Sequence, residues 1–363
     1  MSLTPGTTFG LRLLTQRRVQ VAILATLTAA VLLLRVVQFA IWTQAPQWGY
    51  DFSFYWTAAG HLLHGEPIYS ATQLAGPYAP QAQEGFLYPP VLAALVTPLA
   101  LLFPDDYGAA NWVWSTIGAA ILVWSILTLA REERLDLRFP LLAGRGRWWL
   151  VAAAVAFPPV IDELVVGNVH LLLVGLLTAA WVGVKRGGPG GDRLAGIAVG
   201  AAALVKVFPG LLIVWFALTG RWRAVAWSIA AALVLAALSL PITGLQPWLD
   251  YPTVLANLSL TPDATDALAP TFWLAPYLGF TVARLAVTAA GLALLLWVVS
   301  RTRVRGVPEL ARADQRIPFA TTIVLSVLMT PALYTSYLTV LLVPLVLGLA
   351  VGLPLGWLGL AYL

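Results

Sequence analysis

The sequence predicts an all-α polytopic membrane protein, and three observations carry that prediction. Sixty per cent of its 363 residues are apolar, mean hydropathy is +0.84 and only 10% are charged, against about 25% charged in a soluble domain. Several apolar runs reach the roughly 20 residues that a bilayer crossing needs. The basic and acidic residues also separate along the chain in the manner of alternating loops.

Taken in order, the apolar runs give about ten membrane helices, roughly 19–42, 107–130, 148–161, 169–184, 194–205, 209–219, 224–243, 281–300, 318–333 and 338–353. The first has no small-residue cleavage pattern behind it and is read as a retained helix. Two of these assignments follow from charge. Basic clusters at Arg12 to Arg18, Arg131 to Arg147, Lys185 to Arg193, Arg221 with Arg223, and Arg301 to Arg316 mark the cytoplasmic side. Asp51, Glu66, Glu84, Asp105, Asp106, Asp162, Glu163, Asp250, Asp263 and Asp266 then fall outside. For this to hold, the Pro-rich stretch 87–103 must enter the bilayer only partly, as an interfacial helix. The run 194–218 must be a hairpin broken at Lys206 and Pro209, because a single span would send the arginines of 301–316 outside. The chain then forms one transmembrane domain over 1–363. Its two large external segments are 43–106 and 244–280.

Composition also narrows the chemistry. There is no cysteine, so disulfide and thiol chemistry are excluded. The three histidines, His61, His64 and His170, have no metal-ligand spacing. Asp105 and Asp106 lie beyond a proline at a helix end and read as a solvated cap, so no metal is expected.

Arg35, Lys206 and Arg284 break the rule that cations lie inside. Each is placed near the outer end of an apolar segment, where charge is expensive unless it faces a cavity or partner. One reading is snorkelling to the interface; the other is a shared anion, for which a lipid phosphate is the natural candidate. Lys206 interrupts an otherwise apolar run.

The stretch "GYDFSFYWTAAGHLLHGEPIYS" starts the first external segment. Phe52, Tyr55, Trp56, Ala59 and Leu62 with Leu63 fall on one helical face, and Ser53, Thr57, His61 and His64 on another, as in a helix lying on the interface. Asp51 at its start has two open readings. It is either an N-cap or a general base that takes the proton of an attacking hydroxyl.

Four blocks together point to a family. "GYDFSFYWTAAGHLLHGEPIY", "FLYPPVLAALVTPLALLFP", "VVGNVHLLLVGLLTAAWV" and "AGIAVGAAALVKVFPGLLIVWFALTGRWRA" occur in this order over roughly residues 20–230. They resemble the first external loop, the Tyr-Pro-Pro helix, the Gly-Gln/Asn helix and the Lys-x-x-Pro hairpin of glycosyltransferase family 87. Its best-known members are mycobacterial α-1,2-mannosyltransferases, and an arabinofuranosyl branch is similar. The resemblance implies a GT-C fold and an inverting transfer of a sugar, mannose first, from a polyprenyl-phosphate donor to a glycolipid or lipid-linked glycan. That transfer takes place on the extracytoplasmic side of a bacterial plasma membrane. It makes Asp51 the base and places Lys206, Arg35 and Arg284 on the donor phosphate. Tyr55, Tyr88, Asn168, His170 and Tyr337 become substrate-binding residues. For His170 a satisfied interfacial histidine stays open, and for Tyr88 a place in the interfacial aromatic belt. Expected partners are the donor, the acceptor and membrane lipids, with no cofactor and no nucleic acid. The sequence departs from the family at "MTPALYTSYLTVLL", where many members carry Ser-Trp-x-His and this chain has Tyr334 to Tyr337 without a histidine. A transporter is the alternative class. Against it, no broken helices recur at equivalent places in two halves. A non-catalytic membrane scaffold is a third class, and the acid beside the amphipathic helix argues against it.

Overall fold

The computed structural model describes residues 5–46, 48–76, 85–258, 268–303, 315–330 and 333–352. Glu84, Asp263, Asp266 and the final apolar run 353–363 lie outside the described residues. Among those described, every regular element is a helix.

Four helices are long and apolar enough to cross a membrane: α1 (Pro5–Trp42), α5 (Tyr107–Glu132), α12 (Trp222–Thr243) and α15 (Phe280–Arg303). A bent pair, α7 (Trp148–Ala156) and α8 (Pro158–Val166), makes a fifth crossing if it is counted as one span. These helices turn large apolar side chains outward; Leu233 and Leu238 of α12 are 65% and 69% exposed. Such a surface suits lipid, where the surroundings are as apolar as the side chains. The protein is therefore a multi-pass helical membrane protein, with four to five spans by length and composition among the described residues.

The remaining helices are shorter. They are α2 (Tyr50–His64), α3 (Ala71–Ala75), α4 (Pro90–Leu102), α6 (Leu135–Arg138), α9 (His170–Arg186), α10 (Gly188–Val205), α11 (Leu211–Leu218), α13 (Gln246–Leu258), α14 (Pro270–Leu278), α16 (Arg316–Leu328) and α17 (Leu342–Val351). With 13 residues, α4 is about 20 Å long, short of a roughly 30 Å hydrocarbon core.

Two expected helices need correcting. The helix expected over 148–161 is two helices meeting at 65°. Pro158 has no N–H to continue the ladder and forces Phe157 to an extended φ −65°, ψ 118°. The new helix carries Asp162 and Glu163, which the sequence placed in an external loop. The expected external segment 244–280 carries two helices, α13 and α14. The last expected span, 338–353, is a 3-10 segment, Thr335–Leu341, followed by α17. The break at Lys206 stands as expected: α10 ends at Val205, Lys206 is extended at φ −151°, ψ 134°, and a 3-10 turn at Phe208–Gly210 leads to α11.

The core centres on α9, which buries twelve of its residues, His170 and Trp181 among them. At its far end the buried Glu133 carboxylate accepts from Trp181 Nε1 at 2.8 Å and pairs with Lys185 at 3.3 Å and with Arg316. One acid thereby joins the ends of α5, α9 and α16, with donors on both oxygens to offset its desolvation.

At the near end, two left-handed glycines set the site. Gly49 (φ +69°) begins α2 and Gly167 (φ +71°) ends α8. The Gly49 N–H donates to Val165 O at 2.7 Å, and Trp114 Nε1 donates to Gly167 O at 2.9 Å. A Cβ at Gly167 would lie 2.7 Å from Phe52 Cβ. Gly167→Ala is therefore expected to destabilise the protein by about 1–3 kcal/mol, measured as a lowered unfolding temperature in detergent.

Candidate functional site

A cavity of about 970 Å³ opens beside this turn, and Asp51, Tyr88, Asp162, Asn168, Lys206 and Arg284 all line it. Helices distant in sequence build it: α2 brings Asp51, the segment before α4 brings Tyr88, and α8 with the turn after it brings Asp162 and Asn168. The chain break after α10 brings Lys206, and α15 brings Arg284.

Asp51 is the second residue of α2, and the N-cap is Gly49, with no side chain capping the helix. This overturns the capping reading. Instead, Asp51 Oδ2 accepts from Asn168 Nδ2 at 2.7 Å. Asn168 Oδ1 is taken up by Tyr55 Oη and Tyr88 Oη, each at 3.2 Å, and by the Val169 N–H at 2.7 Å. Three donors around Oδ1 fix the amide orientation and aim Nδ2 at Asp51. Burial pushes the Asp51 carboxyl up to about 6; the Lys206 ammonium and the Asn168 bond pull it down, and Asp162 adds to the rise.

Lys206 is 9% exposed. Its Nζ lies 2.9 Å from His170 Nε2 and donates to Tyr88 Oη at 3.4 Å. The ammonium also sits 3.6 Å from the Tyr337 ring centroid and 5.1 Å from that of Tyr88, each such contact contributing about 1–2 kcal/mol when desolvated. Among the described residues no direct ion pair joins Lys206 to Asp51. The chain between them runs through Asn168 and Tyr88.

His170 and Tyr55 do not line the cavity. Both are fully buried behind its wall. Tyr337 does line it, and its ring also faces Lys206. Arg35 is not among the lining residues; its Nε donates to Ala156 O at 3.1 Å and its Nη1 to Gln38 Oε1 at 2.7 Å. Glu66 stands away from the cavity, 3.7 Å from His61. Asp106 caps α5 by accepting from the Ala109 N–H at 2.9 Å. Among the described residues, no cluster of three or more His, Asp or Glu side chains could hold a metal ion.

Two acids of α8 lie at the site, and sequence reasoning gave Glu163 no role in it. Asp162 faces the cavity and accepts a hydrogen bond from the Ser336 backbone N–H. Glu163 is 1% exposed and bonded to His170. Two adjacent acids just before a Gly-Asn turn in an apolar stretch were the available signal, because buried acids there are costly without partners.

The model of glycosyltransferase family 87 matches residues 86–331, more than half of the chain. The chain belongs to glycosyltransferase family 87. Searches of curated proteins and of solved structures returned no significant match. The family match contains Tyr88, Asp162, Asn168, Lys206 and Arg284. Asp51 and Tyr337 lie outside it and reach the same cavity by packing.

In this family 87 chain the Asp51 carboxyl is expected to titrate with a midpoint of about 6. Infrared difference spectra across pH 4 to 8 should contain a carboxylate band with that midpoint, and Asp51→Asn should remove it.

Proposed function

We propose that this family 87 glycosyltransferase moves a sugar, mannose, from a polyprenyl-phosphate donor to a hydroxyl of a glycolipid or lipid-linked glycan, with inversion. The observation that carries this reading is one cavity with a carboxylate at Asp51 and a cation at Lys206 held apart by Asn168 and Tyr88. An inverting transfer needs a base on one face of the anomeric carbon and charge stabilisation on the other.

In the proposed reaction Asp51 takes the proton as the acceptor oxygen bonds to the anomeric carbon. The bond from that carbon to the phosphate oxygen breaks, and the electron pair leaves with the phosphate. The phosphate changes from a singly charged diester to a doubly charged monoester. Lys206, with Arg284 on the same cavity, is placed to meet that added charge. Tyr251, Leu255, Phe272 and Met329 give the cavity an apolar side suited to the polyprenyl chain. Arg35, tied to Ala156 and Gln38, is left out of this assignment.

The proposal includes a GT-C arrangement of about ten helices, with α2 and α4 at the outer interface of a bacterial plasma membrane and the cavity open to the extracytoplasmic side. Charge segregation supports this placement. A Pro140→Cys variant in intact cells should resist an impermeant thiol reagent, and labelling from outside would defeat the topology.

Asp51→Asn keeps the side chain's shape and removes its basicity. With polyprenyl-phosphate mannose and a lipid glycan acceptor, turnover should fall by at least about 100-fold, while thermal stability holds. Retention of more than about a tenth of wild-type turnover would defeat Asp51 as the base. In the wild type the carboxyl must be ionised to accept a proton. Activity is therefore lost as pH falls through about 6. Transfer from an arabinofuranosyl donor in place of mannose would correct the sugar and leave the site.

A further inference from the structure

Behind the cavity wall lies a line of buried groups that the proposed transfer does not itself use. Glu163 Oε1 accepts from the backbone N–H of His170, at the start of α9, and from that of Leu171 at 3.3 Å. Its other oxygen is 2.7 Å from His170 Nδ1. Two backbone N–H groups thus donate to one oxygen of the carboxyl group, and the other oxygen of an ionised carboxylate can only accept. Facing an ionised Glu163, His170 carries its proton on Nδ1. That leaves Nε2 as a lone-pair acceptor, and it lies 2.9 Å from Lys206 Nζ, a group that can only donate when charged. Glu163 and His170 are 1% and 0% exposed, so neither can exchange its partners for water.

We propose that Glu163 is a positioning residue: through the tautomer of His170 it aims the Lys206 ammonium into the cavity at the departing phosphate. This rests on the donor-site reading of Lys206 above. The arrangement gives Lys206 one neutral acceptor behind it and two aromatic rings beside it, Tyr88 and Tyr337. No carboxylate pairs directly with the ammonium among the described residues. Its position is therefore fixed while its charge stays available to an anion. A carboxylate orienting an imidazole is a familiar way to hold one tautomer. Here the imidazole holds a cation.

Glu163→Gln separates positioning from packing. The substitution keeps the shape and can keep the cap on α9 through Oε1. Its amide then points a donor at Nδ1 and moves the histidine proton to Nε2, which sets donor against donor at Lys206. His170→Asn is the second variant. An asparagine amide can replace Nδ1 toward Glu163 but has no atom at the place of Nε2.

The test uses purified full-length protein in detergent, with farnesyl monophosphate as the probe of the phosphate site. Lys206→Ala should weaken its binding at least about tenfold. Glu163→Gln and His170→Asn should each weaken it several-fold or more, with unfolding temperatures near that of the wild type. The Lys206→Ala/His170→Asn double variant should bind no more weakly than Lys206→Ala alone, because both changes act through one ammonium. The ¹⁵N-histidine spectrum, with His170 assigned by its loss in His170→Asn, should show Nδ1 protonated in the wild type and Nε2 protonated in Glu163→Gln. Wild-type protonation at Nε2 overturns the proposal. So does wild-type affinity in both Glu163→Gln and His170→Asn, or losses that add in the double variant, while the Lys206 site itself stands. Unchanged binding in Lys206→Ala overturns the donor-site reading, and this inference falls with it.

Discussion

The side-chain amide of Asn168 is the joint on which the site depends. Its oxygen is held by two tyrosine hydroxyls and a backbone N–H, and its nitrogen is thereby left facing Asp51. An amide is well suited to this place because it presents an acceptor and a donor on opposite sides of one rigid plane. The tyrosines come from α2 and from the segment before α4, so the same amide also registers these two elements against α9. Its own position follows from Gly167, whose left-handed backbone turns the chain beneath Phe52.

With that joint in place, opposite charges can share a cavity without collapsing on one another. A direct Asp51–Lys206 pair in a poorly solvated space would be strongly attractive, and it would leave neither group available. Asn168 and Tyr88 stand between them, and Lys206 is held from the rear by His170 and flanked by the rings of Tyr88 and Tyr337. Desolvation is offset by hydrogen bonds and ring faces, so the charges can stay open to a ligand.

The opposite end of α9 is built on the same physics with a different result. Glu133 is surrounded by Trp181, Lys185 and Arg316, and its charge is satisfied within the protein. The helix thus runs from a closed ion cluster at one end to an open one at the other. The open one borders the cavity, and the proposed chemistry is placed there.

The sequence by itself determined the all-helical membrane class, because lipid requires backbone bonds to be made within each segment and apolar side chains to face outward. It also located the chain break at Lys206 and singled out Asp51, since a charge in an apolar run must have a reason. The four blocks were enough to point to the family. Other features needed tertiary contacts. The helix expected over 148–161 ran through Pro158, where the chain instead bends by 65° between α7 and α8. Asp51 could be read from its residues as a cap or a base; the backbone places Gly49 at the cap, and packing brings Asn168 to the carboxylate. Glu163 read as one more external acid, and Arg35 as one more donor-side cation. Burial against His170 gave the first a partner; bonds to Ala156 and Gln38 took the second away from the cavity. A residue's cost in the membrane can be read from its type, but its partner lies more than a hundred positions away in the cases of Asp51 and Arg35, and only the packed chain decides which one it meets.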